Sequence, residues 1–231
     1  MKKVLRWSGK LFVLLLILLV VYQAWIFAHI TWWRWFNPSA SAFMEDRLEI
    51  MQEANPEATL RHQWVQYDKI SPHLKRALIA AEDSHFLEHE GFDWEAIEKA
   101  YEKNLKKGKI VAGGSTISQQ LAKNLFLSSK RSPGRKLQEA LITVMLEGVL
   151  SKRRIFEIYL NVIEWGNGVF GAEAAARHYY KTSAAGINSW QAARLAAMVP
   201  NPRFYDKRRS TPFLERKTAM ILARMPASEI P

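Results

Sequence analysis

The 231-residue chain contains no cysteine. That excludes a disulfide scaffold, a thiol nucleophile and any cysteine-ligated zinc or iron–sulfur centre. Acidic residues are few beside basic ones, 22 against 33, for a formal net charge of +11. Such a surplus points to an anionic partner, and at this level the phosphates of nucleic acid and of lipid look alike. Strict polar–apolar alternation is rare, so little sheet is expected. There is no internal repeat and no low-complexity tract. With 48% apolar and 24% charged residues the composition is that of a folded chain, not a disordered one. The length fits one domain, or one domain plus an appendage.

What the N-terminus does have is a run of 23 residues without formal charge, LFVLLLILLVVYQAWIFAHITWW, between Lys10 and Arg34. As a helix it would span about 35 Å, enough for a hydrocarbon core of about 30 Å. Lys2, Lys3, Arg6 and Lys10 precede it, which keeps the N-terminus cytoplasmic by the positive-inside rule. Trp25, Trp32, Trp33 and Trp35 crowd its far end, where amphipathic rings favour the membrane interface. A cleaved signal peptide would need small residues at −3 and −1, and the pairs Tyr22/Ala24 and Ile26/Ala28 fail the first requirement. An uncleaved signal anchor is therefore expected, with everything after Phe36 outside the cytoplasm. The charge then divides into +5 over residues 1–34 and +6 on the exported part.

Residues 37–60 read as a mixed approach with turn signals at Asn37-Pro38 and Asn55-Pro56. Beyond it the chain reads as helices. Ser71-Pro72 caps one over HLKRALIAAED, and Asp93 caps another that ends at Gly108. A glycine-containing loop covers Lys109–Gly114, and Thr116 and Gln119 form a capping box for a helix through Phe126. Residues 128–134 break the pattern, and a long helix runs on from Arg135. Further helices are expected over Lys152–Val162, Ala172–Tyr180, Ser189–Met198 and Phe213–Met225.

Five clusters can bear chemistry. In Glu82–Asp93, a carboxylate at the end of the apolar run ALIAA is poorly solvated, which suits it to proton transfer; the alternative is an ordinary solvated helix end. The same segment contains His85-Phe86-Leu87-Glu88-His89, an inverted zinc-protease pattern, but Gly91 discourages the helix that this pattern needs. In the second cluster, Gly113-Gly114-Ser115 leads into a helix whose N-terminus offers free N–H groups to an anion. Gln120, Lys123, Asn124 and Leu127 share one side of that helix. It is not a P-loop. In the third, Glu139 is four residues after Arg135 and heads a stretch otherwise free of charge through Leu146, so it is either a buried structural ion pair or part of a site. The fourth, Glu157-Ile158-Tyr159-Leu160-Asn161 with the glycine loop 166–171, and the fifth, Arg194 to Pro202, carry no function alone.

In order, EDSHFLEHEGFD, GGSTISQQLAKNLFL, RKLQE, RRIFEIYLNVIEWGNGVFGAEAAA and RLAAMVPNP resemble the five motifs of the peptidoglycan glycosyltransferases, and the chain is similar to the monofunctional members. The resemblance implies a mainly α, lysozyme-like, two-lobed glycosyltransferase domain behind one N-terminal transmembrane helix. The expected organisation is a cytoplasmic tail (1–10), a transmembrane signal anchor (11–33), a juxtamembrane approach (34–60) and the catalytic domain (61–231). The segment near Lys99–Val111, with Lys103, Lys106, Lys107 and Lys109, would belong to a mobile membrane-facing part, or be an ordinary solvated charge run.

By the same resemblance, the 4-hydroxyl of the N-acetylglucosamine of lipid II attacks the anomeric carbon of a lipid-linked glycan chain. A β-1,4 bond forms with inversion and undecaprenyl pyrophosphate leaves. Glu82 matches the general base, and Glu139 the second carboxylate. Lys123, Arg135 and Lys136 match cations on the donor side, with Ser115, Gln120 and Asn124 as hydrogen-bonding partners. Asp83 and Phe86 would support the Glu82 loop, and Glu157 and Tyr159 would brace the fold. No cofactor is required, although a divalent cation, Mg or Mn, could accompany the pyrophosphate. Expected partners are lipid II, the lipid-linked chain, the membrane and other cell-wall synthesis or division proteins, with no nucleic acid. The expected location is a bacterial inner membrane, crossed once, with the catalytic domain periplasmic. The sequence has no S-x-x-K nucleophile motif and ends about 30 residues after the last motif, so no transpeptidase activity is expected. A membrane-anchored glycan hydrolase and a non-catalytic scaffold are the competing classes.

Overall fold

The computed structural model describes residues 2–109, 113–127 and 133–231, with the backbone alone described for residues 2–6, 8 and 133. The loop expected over 109–114 and the break over 128–134 lie in part outside these residues. Helix α1 (Lys2–Trp32) carries an apolar stretch, Gly9–Trp32, long enough to cross a membrane. Residues 9–25 are exposed apart from the half-buried Gln23, whereas Ile26, Ile30 and Trp33 are buried in the domain core. Trp33 thus leaves the expected interfacial belt and packs on Phe126, ring centroids 5.1 Å apart, while Trp25, Trp32 and Trp35 stay exposed.

Residues 37–60 are more regular than the turn signals indicate. Ser41 accepts a hydrogen bond from the Met44 N–H and opens α2 (Ala42–Ala54), which buries only Met44. The next helices follow their caps. Ser71 and Pro72 start α3 (Pro72–Glu82), Asp93 starts α4 (Trp94–Lys107), and the reciprocal Thr116–Gln119 box starts α5 (Ile117–Phe126). Helix α6 (Pro133–Val149) begins two residues before the expected Arg135. Helix α7 (Lys152–Val162) is amphipathic: Lys152, Arg153 and Arg154 in its first turn keep contact with solvent, while Ile155, Phe156, Ile158, Tyr159 and Leu160 are buried in the core. The chain continues through α8 (Ala172–Tyr180), α9 (Ser189–Met198), α10 (Pro202–Lys207) and α11 (Pro212–Arg224).

Among the described residues, sheet is confined to β1 (Arg61–His62), β2 (Glu164–Gly166) and β3 (Val169–Phe170), in the order β1-β3-β2. β1 runs parallel to β3 with Arg61 opposite Val169, and β2 runs antiparallel to it. Helices α3, α9 and α11 pack together as one group, and α5 packs on α6 and α7 as another. The anchor helix joins the second group. Gln23 and Gln138 exchange amide hydrogen bonds of 2.8 and 3.1 Å, removing two polar groups from an apolar setting. Arg154 holds the exit from α1, donating to the Trp33 and Phe36 carbonyls at 2.8 and 2.7 Å and to Glu157 at 2.6 Å. Helix α4 leaves Trp94, Tyr101 and Leu105 exposed among its lysines, and α6 leaves Leu137, Leu141 and Val144 exposed.

Candidate active site

Glu82 is the last residue of α3, where the buried stripe Leu74, Leu78, Ile79 meets a cavity of about 170 Å³. Asp83, Ser84, Asp93, Ser115 and Arg224 share that lining. Burial pushes the Glu82 carboxyl above the ordinary carboxylate range; a hydrogen bond from Gln120 and the charges of Lys217 and Lys123 act the other way. The expected poor solvation at this helix end is therefore present. Gln120 Nε2 donates to Glu82 Oε2 at 2.9 Å, and the Tyr159 hydroxyl donates to Gln120 Oε1 at 2.9 Å.

Asp83 fixes the start of α5 against this carboxylate. Its Oδ2 accepts from the Ile117 N–H at 2.9 Å and its Oδ1 pairs with His89 Nε2 at 2.9 Å. His85 pairs with Asp93 at 2.9 Å. Residues 84–91 form turns, not a helix, so the H-x-x-E-H residues share no helical face and each histidine serves a carboxylate. Phe86 is fully buried against Phe156. A second tie comes from Lys152, which donates to the His89 carbonyl at 2.5 Å and to Glu147 at 2.8 Å, while Ser118 of α5 donates to that same Glu147 oxygen. Of the glycine pair, Gly114 is required by packing: a Cβ there would fall 2.8 Å from the Ile97 Cα of α4, whereas a Cβ at Gly113 would meet nothing.

One turn along α5 from Gln120, Lys123 stands between two carboxylates. Burial lowers its pKa, and Glu139 and Glu82 counter that effect. Glu139 is buried on α6, held by the Lys136 ammonium and with Arg135 Nη1 4.0 Å away. The sequence-derived set thus gathers as two linked halves: Glu82, Asp83, Ser115 and Gln120 on one side of Lys123, and Arg135, Lys136 and Glu139 on the other. Asn124 is buried and donates to the Gln120 backbone carbonyl at 2.7 Å, so its amide N–H₂ serves its own helix. Glu157 accepts from the Tyr67 N–H and from Arg154, away from the cavity. Two cations were not singled out from sequence. Lys217 on α11 acts on Glu82 and has its own pKa lowered by burial, and Arg224 lines the cavity. Their only local signal is a place beside the buried stripe Leu214, Thr218, Ile221.

Among the described residues no group of three or more His, Asp or Glu side chains is placed to hold a metal ion. Glu139 alone, already engaged by cations, does not fit a protein-held divalent site. A buried carboxylate able to take a proton, facing cations able to hold an anion, beside a membrane-length helix, makes a site for group transfer from an anionic leaving group. The comparisons specify the class further. Residues 48–226 match the family described as Transglycosylase. The biosynthetic peptidoglycan transglycosylase of Methylobacillus flagellatus is 68% identical over 231 residues, covering 100% of both chains. Its counterpart from Nitrosospira multiformis is 66% identical over 226 residues, 98% of each chain. That from Chromobacterium violaceum is 65% identical over 222 residues, 96% of this chain and 97% of the relative. The chain belongs to the transglycosylase family and is a peptidoglycan glycosyltransferase of lysozyme-like, mainly helical fold.

Proposed function

We propose that this enzyme polymerises glycan strands from lipid II at the outer face of a bacterial inner membrane. The observation that carries the reading is Glu82: a buried carboxylate at a cavity, linked through Lys123 to the cations around Glu139. The 4-hydroxyl of the acceptor N-acetylglucosamine attacks the anomeric carbon of the lipid-linked chain. Glu82 takes the hydroxyl proton as the new C–O bond forms, because an alcohol is a weak nucleophile at neutral pH. The bond from the anomeric carbon to the pyrophosphate oxygen breaks on the opposite face, which inverts the centre and gives the β-1,4 linkage. The electron pair leaves with undecaprenyl pyrophosphate, whose growing charge meets Lys123, Arg135 and Lys136. Glu139 orients those side chains and Ser115 is assigned to the substrate side, while Gln120 serves Glu82 and Asn124 braces α5, where the resemblance would have both on the substrate. No protonating acid is needed, since the leaving group is already an anion. No step is assigned to a divalent cation; Mg or Mn, if it enters, does so on the pyrophosphate.

In this reading residues 11–33 form the single membrane crossing, the N-terminus is cytoplasmic and the domain is periplasmic, in line with the basic N-terminal tail and the exposed apolar length of α1. Partners are lipid II, the lipid-linked chain, the membrane and, beyond those, other cell-wall synthesis or division proteins. No transpeptidation is assigned. The test is Glu82→Gln in the full chain with labelled lipid II. Strand synthesis should fall about 10²–10⁴-fold with the fold intact, as loss of a general base predicts. Near-normal polymerisation would overturn the base assignment, and release of soluble muropeptides from purified sacculus by the wild-type enzyme would favour hydrolysis instead.

A further inference from the structure

Tyr159 lies on the core helix α7, fully buried, and among the described residues its hydroxyl has one hydrogen-bond partner, Gln120 Oε1 at 2.9 Å. Gln120 in turn reaches Glu82 with its Nε2, also at 2.9 Å. An amide is asymmetric, so the two contacts are coupled. With the carbonyl oxygen toward Tyr159, the N–H₂ must face Glu82, and an N–H donor favours the carboxylate over the acid. The opposite amide orientation would present oxygen to Glu82, a contact that only a protonated carboxyl can satisfy. It would also turn the amide N–H₂ toward the phenol and leave the phenolic proton buried without an acceptor, which costs free energy. The requirement of a buried phenol for an acceptor therefore selects, two contacts away, the ionised form of Glu82.

We propose that Tyr159 is a positioning residue for the glycosyl transfer: by donating to the Gln120 carbonyl it holds the amide N–H toward Glu82 and keeps that carboxylate in its proton-accepting form. The proposal rests on Glu82 acting as the base. Burial and the neighbouring charges of Glu82 and Asp83 keep the phenol protonated, hence a donor, throughout the working range. The charged groups facing Glu82 from the packed elements are Lys123 of α5 and Lys217 of α11, with Asp83 beside it in the chain; Asp93 and Arg224 line the same cavity. None of these changes in Tyr159→Phe, so the variant isolates the relay.

The experiment measures kcat and KM against pH for full-length wild type, Tyr159→Phe, Glu82→Gln and a chain with 3-fluorotyrosine at position 159, all in detergent with lipid II. Tyr159→Phe should move the acid limb of kcat up by about one pH unit, a tenfold loss on the acid side that is regained on the alkaline plateau, with KM little changed. 3-Fluorotyrosine, a stronger donor of nearly the same size, should move the limb down. A limb that stays in place in both chains, or a Tyr159→Phe loss equal at every pH, would overturn the proposal. If Tyr159→Phe does not fold by circular dichroism, the fluorotyrosine chain decides alone. Should Glu82→Gln retain activity, it is the base reading that fails; should Glu82→Gln be inactive while the limb of both Tyr159 chains stays fixed, only the relay fails.

Discussion

Asp83 is the residue whose removal should do most damage per atom lost. Its side chain is 2% exposed and satisfies two donors at 2.9 Å, the Ile117 N–H at the start of α5 and His89 Nε2 in the turn that follows Glu82. Asp83→Ala removes a helix-terminal acceptor worth about 1 kcal/mol and leaves two buried donors without it, at about 1–3 kcal/mol each. The Thr116 cap and the Lys152 contact to the His89 carbonyl remain, and local relaxation recovers part of the loss, so we expect about 3 kcal/mol of destabilisation. For a domain of this size that is a fall in Tm of about 6–12 °C. The nine tryptophans make intrinsic-fluorescence melting in detergent a direct assay. Asp83→Asn keeps one acceptor for the Ile117 N–H and should lose about half as much. Activity should fall further than stability in Asp83→Ala, because Glu82 and Gln120 sit on the two elements that this carboxylate ties together. A Tm within about 2 °C of wild type, with polymerisation unaffected, would refute the argument.

Three further outcomes follow from the charges at the cavity. Glu82 has its folded pKa raised by burial, so between its unfolded and folded values the native state holds more protons and stability falls as pH rises. Glu82→Gln should therefore raise the Tm at pH 7–8 relative to wild type, with the gain shrinking below the ordinary glutamate range; a Tm difference independent of pH would contradict this. Lys217→Met removes a cation that holds the Glu82 pKa down, so the acid limb of kcat should move to higher pH, and an unmoved limb would place Lys217 outside the reach of the base. Lys123→Ala should weaken binding of a phosphoglycolipid donor mimic by at least tenfold, as loss of a partly desolvated cation predicts; unchanged affinity would remove Lys123 from the donor side.

How much of this was legible in the sequence depends on how local each cause is. Caps are local: Ser71-Pro72, Asp93 and the Thr116–Gln119 box each act within a turn, and α3, α4 and α5 start where those residues place them. The burial of Glu139 and the desolvation of the Glu82 carboxyl were also readable, because each adjoins a largely apolar run: ALIAA before Glu82, and after Glu139 a stretch that buries Ile142 and Leu146 although Leu141 and Val144 stay exposed. Helix α2 was not, since it buries a single residue, Met44, and its weak apolar periodicity is outweighed by flanking Asn-Pro turn signals. The reach of the anchor into the core was hidden for a related reason: Ile26, Ile30 and Trp33 read equally well as lipid-facing, and only the Gln23–Gln138 pair and the Arg154 clamp, each spanning more than 100 residues, turn them inward. The same holds for Lys217. Its helix is marked by a cap and a stripe, but a lysine at the edge of that stripe faces a carboxylate only because α11 and α9 pack on α3. Chemistry that depends on one residue type at one helix end is thus written locally. Chemistry that depends on which helices meet, such as the cation balance at Glu82, is fixed by packing over the whole domain.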